Sequence, residues 1–221
     1  MQITENMAVK LSVMKFLFLL FFTFIGVAVY GQKRSIENQV KLSPLRILNY
    51  TAPGLELSYE IGYGKFSTQL SAAYLIDLVH YMKVRPKLNG MRFNLEEKYF
   101  IKTTGNRKFR FYTSAEIGYN KVNFVAYERF WIRDTKEDYW ARWDKKSRSV
   151  IVNAKVGSQA FAGNFVFDFS IGLGIIFKNV VEYNKPPDEE MLDGILNGTL
   201  EVAGRHTFPN VPLSVKIGYR F

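Results

Sequence analysis

The last eleven residues constrain the fold more tightly than any other stretch. Val211, Leu213, Val215, Ile217, Tyr219 and Phe221 fall on one parity, and Pro212, Ser214, Lys216, Gly218 and Arg220 on the other. Side chains on a strand change face at every residue, so this period of two describes a sheet with one apolar and one polar face. A helix would instead need apolar residues three and four apart.

The alternation recurs upstream. Leu55 to Tyr63, Phe66 to Ile76, Met91 to Ile101, Phe109 to Tyr119, Val150 to Val156 and Phe165 to Phe177 each carry aliphatic or aromatic side chains at alternate positions, with Glu97 a blemish on its apolar side. A weaker first segment, about Val40 to Leu48, is interrupted by Pro44, which suits an irregular strand. Eight strands are therefore predicted. Short connectors rich in turn formers (Tyr63-Gly64-Lys65, Thr103 to Lys108, Ala162-Gly163-Asn164) alternate with longer links at about 78–89, 129–148 and 183–210. In an antiparallel barrel, alternate connectors lie at opposite ends, so one rim receives tight turns and the other long loops.

Two arguments place the apolar face outward. Gly62, Gly118, Gly157, Gly172, Gly174 and Gly218 all share the polar parity, where they make room for long charged side chains in a narrow lumen. Moreover, the apolar face collects more large residues than the close-packed interior of an eight-stranded barrel can hold. The sequence is thus read as all-β, an eight-stranded antiparallel transmembrane β-barrel with short periplasmic turns and long extracellular loops. After residue 31 no run of 18 apolar residues occurs, which excludes helical spans.

The polar face then becomes a lumen charge network. Glu56, Glu60, Glu96, Glu116 and Asp168 mingle there with Arg46, Arg92, Lys98, Arg110, Lys155, Lys178, Lys216 and Arg220. Buried charges must pair or neutralise, so a plug of salt bridges is expected, with a narrow solute pore as the alternative. Much of the formal charge of +10 lies inside the barrel, which argues against a nucleic-acid partner.

Residues 1–31 read as a signal peptide. Phe16 to Val29 form an apolar run too short to span a bilayer, preceded by Lys10 and Lys15 and ending near Gly31. Residues 32–221 form the barrel domain, and the expected location is the bacterial outer membrane after cleavage. The chain has no Cys and only two histidines, His80 and His206. No metal, cofactor or catalytic set is assembled from them, and the protein is expected not to be an enzyme. The alternative is a lipid-modifying enzyme using a loop histidine.

Leu213-x-Val215-x-Ile217-x-Tyr219-x-Phe221 resembles the terminal assembly signal of bacterial outer-membrane proteins, which implies recognition of Tyr219 and Phe221 by the assembly machinery. Eight strands with uneven rims resemble the small OmpA- and OmpX-like barrels. Lys41-Leu42-Ser43-Pro44-Leu45, Gly54 to Glu60 (GLELSYE) and Arg92 to Phe100 (RFNLEEKYF) resemble the opening and a later strand of the domain of unknown function 3575 family. That resemblance implies a fold and a location, with no chemistry.

Two outer segments are candidates for partner contact. Trp131, Trp140 and Trp143 lie among mixed charges in 129–148, where strands five and six are expected to extend as a hairpin around Thr135-Lys136-Glu137. They suit either interfacial anchoring or a partner surface. Met191, Leu192, Ile195 and Leu196 form the stripe of an expected short helix capped by Asp188 and ended by Gly198, either covering the barrel mouth or docking a neighbour. The function read from all this is a plugged barrel with a structural or interaction role through its long loops, alone or as a subunit of a larger outer-membrane assembly. Its expected partners are outer-membrane lipid, lipopolysaccharide and another membrane or surface protein.

Overall fold

A computed structural model describes residues 36–47, 53–76, 88–103, 109–131, 138–184, 190–191 and 202–221. The expected signal peptide, His80, the hairpin apex around 135–137, and Asp188, Leu192, Ile195, Leu196 and Gly198 lie outside these residues. The strands are β1 (Ile36–Leu42), β2 (Gly54–Tyr63), β3 (Phe66–Ile76), β4 (Asn89–Thr103), β5 (Phe109–Trp131), β6 (Asp138–Ala162), β7 (Phe165–Tyr183), β8 (Glu190–Met191), β9 (Gly204–Asn210) and β10 (Leu213–Arg220). Each of β1 to β6 pairs antiparallel with the next, and β8 pairs with β5. β7 then pairs with both β9 and β10, and β10 pairs with β1 to close the ring.

β9 and β10 are one barrel strand. Gly174 faces Asn210 and Ile171 faces Leu213, so the register on β7 passes unchanged through Val211-Pro212. Pro212 has no N–H to give to the ladder, yet its carbonyl still accepts from the Gly172 N–H at 3.0 Å. With that strand counted once and the two-residue β8 set aside, the wall has the eight strands that the alternation predicts. Crossing the sheet partner by partner from Lys41 leads through Ser58, Ser71, Asn94, Gly118, Ile151 and Ile176 to Phe208. The β1–β10 register, carried onward, brings Phe208 level with position 51, a stagger of ten residues. Such a stagger tilts the strands by roughly 35–45° and leaves an interior just wide enough for side chains.

The outward face is apolar. Leu57, Leu70, Ile101, Phe165, Leu173 and Leu213 are exposed, whereas Lys41, Glu56, Glu60, Glu96, Lys98 and Asp168 are buried within the ring. On β7 the apolar band runs from Phe165 to Phe177; at about 3.3 Å per residue along a tilted strand it is about 30 Å tall. Hydrocarbon is the solvent that stabilises such a surface, and the closed ladder leaves little backbone for the bilayer to meet. Glu97 is the exception, and the outward Tyr63 and Thr68 hydroxyls both donate to its carboxylate.

Above the band the polarity inverts. Lys121, Arg142, Asp144, Lys146 and Arg148 point outward, while Phe124, Ala126, Ala141 and Trp143 turn in. Water surrounds the barrel at this height, so the apolar side chains take the inside. β5 and β6, 23 and 25 residues long, stay paired as far as Trp131 and Asp138, which bears out the extended hairpin.

Three sequence expectations need correction. The first strand is Ile36–Leu42, and Pro44–Arg46 form a 3-10 turn where strand was expected to continue; Pro44, with fixed φ and no donor, suits the first position of such a turn. The expected helix does not include Glu190 and Met191, which are extended and pair with Trp131 and Phe130. The last strand begins at Gly204 instead of Val211, shortening the loop expected over 183–210. At the opposite rim, Gly64 and Gly163 open the two-residue hairpin turns with φ of +69° and +62°, a backbone region that glycine enters without steric cost.

Candidate functional site: the charged lumen

The lumen charges form three tiers. At the tight-turn rim, Arg110 binds both carboxylate oxygens of Glu37, at 2.6 and 2.8 Å. Arg220 approaches the same carboxylate at 3.8 Å. Both guanidinium groups lie against the Phe161 ring, at 4.9 and 5.0 Å from its centroid, a cation–π arrangement that holds two like charges side by side.

The middle tier closes the bore. Lys41 and Lys98, from β1 and β4, each contact both Glu60 of β2 and Asp168 of β7, with nitrogen–oxygen distances of 2.5 to 2.7 Å. All four side chains are at most 3% exposed. Two cations thus meet two carboxylates from opposite walls, and the cluster is neutral. Its remaining lone pairs are also used. The Tyr112 hydroxyl donates to Asp168 at 2.6 Å, Ser67 to Glu60 at 3.0 Å and the Gln159 amide to both carboxylates. Gln69 accepts from Lys98 at 3.1 Å. Charges removed from water are tolerated only when paired and hydrogen-bonded this fully.

Tyr112 reaches Asp168 because its direct neighbour across the strands is Gly157. A Cβ at Gly157 would sit 2.5 Å from the phenol ring and 2.6 Å from the Phe169 carbonyl. Gly118, Gly172, Gly174 and Gly218 likewise make room for the lumen side chains of Asn94, Lys155, Asn153 and Lys41, as their parity implied, whereas a Cβ at Gly62 would meet no close contact.

The third tier lies nearer the long-loop rim. Lys155 bridges Glu96 and Glu116, each at 2.8 Å. Glu56 is bound by Arg46 at 2.9 Å and by Lys216 at 3.2 Å. Arg92 donates to the Asn120 side-chain Oδ1, and among the described residues no carboxylate pairs with it. Lys178 lines the outer cavity with Arg46 and Arg92. Ala73, Leu75, Leu88 and Phe124 form an apolar cluster towards the same mouth.

All thirteen charged residues predicted for the lumen face or line it, though in separate tiers instead of one mixed network. Sequence reading missed Lys41, at the centre of the plug, and Glu37, at its inner end. Lys41 sits between outward Val40 and Leu42, a parity that signals the lumen, but the irregular first segment obscured it. Trp143 is corrected: it is 3% exposed, packed inside the hairpin base with the Lys145 ammonium 5.0 Å from its ring centroid, and so presents no surface to a partner. The backbones of Trp131 and Trp140 lie in the upper hairpin, opposite Asp138 and Arg129. Tyr219 and Phe221 face outward at the tight-turn rim, where Tyr219 packs edge-on against Phe165. His206 lies in β9 instead of a loop, its Nε2 2.9 Å from the Val202 carbonyl. Among the described residues no cluster of metal-ligating side chains occurs.

No family model matches the sequence, and no curated protein matches it. Among solved structures, the chain is similar to the N-terminal β-barrel domain of Pseudomonas aeruginosa OprF. The identity is 16%, with 84% of this chain and 96% of that chain covered, at a TM-score of 0.38. It is also similar to a major outer membrane protein from Thermus thermophilus, at 11% identity, 84% and 98% coverage and a TM-score of 0.41.

Proposed function

We propose that this protein is a plugged bacterial outer-membrane barrel that acts by contact, carrying its long β5–β6 hairpin above the membrane as an interaction element. The observation that carries the reading is the neutral four-charge cluster of Lys41, Lys98, Glu60 and Asp168, which fills the bore. A barrel so filled has its free surface outside, and the hairpin supplies it. β5 continues twelve residues past Tyr119, about 40 Å of strand at its extended rise.

Several features support the location and partners. The apolar band suits a bilayer, and the alternating C-terminal strand ending in Phe221 suits recognition by an outer-membrane assembly machinery. The tight-turn rim would face the periplasm and the long loops the exterior. Outward Lys121, Lys146, Arg148 and Arg205 sit just above the band, where the acidic headgroups of lipopolysaccharide would lie. The motif resemblance to the domain of unknown function 3575 family accords with this shape.

Two measurements test the reading. In planar bilayers the refolded protein is expected to show no discrete conductance; steady unitary currents would favour the solute pore. Gentle detergent extraction of the tagged full chain is expected to bring down a stoichiometric membrane or surface protein, lost when residues 122–147 are replaced by a two-residue turn. A clean monomer from both forms in every detergent would overturn the interaction role. A lipid-modifying activity abolished by His206→Ala would favour the enzyme alternative.

A further inference from the structure

Among the described residues, Glu97 is the only carboxylate that faces outward within the apolar band. Its neighbours across the strands are Thr68 on β3 and Ala115 on β5, with Leu95 and Tyr99 beside it on β4. None of these is cationic. The Tyr63 and Thr68 hydroxyls donate to its two oxygens at 2.5 and 2.6 Å, which leaves each oxygen a free lone pair and supplies no counter-charge. A charge on a lipid-facing wall is costly and calls for a partner. The lumen does not provide one, because Lys98, the next residue, points inward and is bound to Glu60 and Asp168. The partner has to come from the membrane side.

The height of Glu97 selects that partner. Tyr63, Phe66 and Tyr99 form a row one step nearer the tight-turn rim. The Phe66 ring centroid lies 6.3 Å from that of Tyr63 and 5.2 Å from that of Tyr99. The step is two residues, about 5 Å along the axis of a tilted barrel. Such an aromatic row marks the level of lipid headgroups, so a headgroup can reach Glu97. On the other side, Leu95 and Ile117 continue the apolar wall toward the bilayer centre. One carboxylate, aromatic rings on its rim side and an aliphatic wall beyond complement a molecule with one cationic head and an apolar tail. A protein partner would bring further polar groups that this face has nothing to match.

We propose that Glu97 is a binding site for a lipid with a primary ammonium headgroup, in the leaflet at the tight-turn rim. The ammonium would donate to the free lone pairs of the carboxylate and lie against the Phe66 and Tyr99 rings, whose faces attract a cation. The acyl chains would run over Leu95 and Ile117. The inference rests on the membrane reading above and adds a lipid class and a place on the wall to it.

The test folds the full chain into phosphatidylglycerol nanodiscs, with folding scored separately by heat-modifiable migration. The discs are doped in turn with phosphatidylethanolamine, phosphatidylcholine or N-acetyl phosphatidylethanolamine of the same acyl chains, and the released barrel is weighed by native mass spectrometry. One phosphatidylethanolamine per barrel is expected, retained at least tenfold over either analogue. Glu97→Gln, which keeps the size and removes the charge, should abolish that preference, and an undiminished preference would overturn the proposal. Equal retention of phosphatidylcholine would mean that N–H donors are not read. Equal retention of the N-acetyl lipid would mean a neutral carboxyl closed on Tyr63 and Thr68, and displacement by free phosphoethanolamine a soluble-amine site; any of the three overturns the proposal. A second measurement needs no variant: phosphatidylethanolamine with a diazirine at the glycerol end of a chain should label residues 66–70 and 113–117 preferentially. Labelling spread evenly around the apolar band would overturn the proposal even if Glu97→Gln does not fold. Failure of the unsubstituted chain to fold in lipid would sink the membrane reading itself, whereas a folded barrel without the preference sinks this inference alone.

Discussion

Asp168 is the most informative residue to perturb. In the folded barrel it balances Lys41 and Lys98 together with Glu60, and all four groups are shielded from water. Asp168→Asn keeps the size but has one acceptor oxygen where the carboxylate has two, receiving Tyr112 on one and Gln159 on the other, and it leaves two ammonium groups facing one carboxylate. Breaking a buried pair in this way costs about 3–5 kcal/mol, because the stranded charge has neither partner nor solvent. Lys98→Gln should cost a similar amount for the mirrored reason. The double variant restores neutrality with Lys41 and Glu60 still paired, so it should be less destabilised than the sum of the singles, by up to about 3 kcal/mol of coupling. The assay is urea unfolding from phospholipid vesicles, followed by tryptophan emission. At a slope of about 1–3 kcal/mol per molar urea, each single change moves the midpoint by roughly 1–5 M. Single effects below about 1 kcal/mol that simply add would mean that water reaches these groups, and the plug would have to be abandoned.

Other substitutions probe separate parts of the structure. Gly157→Ala should destabilise the barrel by about 1–3 kcal/mol by displacing Tyr112. Gly62→Ala, whose Cβ meets Glu37 at an ordinary 3.5 Å, should be near neutral in the same unfolding assay, and equal effects would contradict the packing role of Gly157. Glu97→Leu removes a carboxylate from the lipid-facing wall while Tyr63 and Thr68 can still bond each other at 2.8 Å. It should raise stability by about 1–2 kcal/mol, and a clear loss of stability would mean that Glu97 does not face hydrocarbon. Replacing 122–147 by a tight turn should leave heat-modifiable folding intact, since the charged tiers lie outside the removed segment; loss of folding would show that the hairpin base is part of the barrel's core.

The wall was legible in the sequence because its signal is local. Alternation at every second residue needs no knowledge of partners, and the parity of Gly157, Gly172 and Gly218 marks the crowded interior. The plug was legible only as a composition of charges. Lys41 and Asp168 are separated by 127 residues, and which charge meets which depends on the stagger around the closed ring. Trp143 shows a different limit. It shares the parity of Lys155 on β6, which places it inside, but its charged neighbours Arg142 and Asp144 suggested exposure. The strand had already left the bilayer there, and the rule for its outer face had changed sign. Glu190 and Met191 fall outside any helix because they pair with the β5 edge at Phe130 and Trp131, a tertiary partner that an amphipathic count cannot see.

The most direct test is a nitroxide scan along β7. The chain contains no cysteine, so single-cysteine variants from Phe165 to Phe177 carry one label each. In lipid vesicles, collision with oxygen should peak at the odd positions, while the even positions, including Asp168 and Ser170, stay shielded. Odd positions reached by an aqueous nickel chelate instead, on a barrel that folds without any amphiphile, would contradict the account.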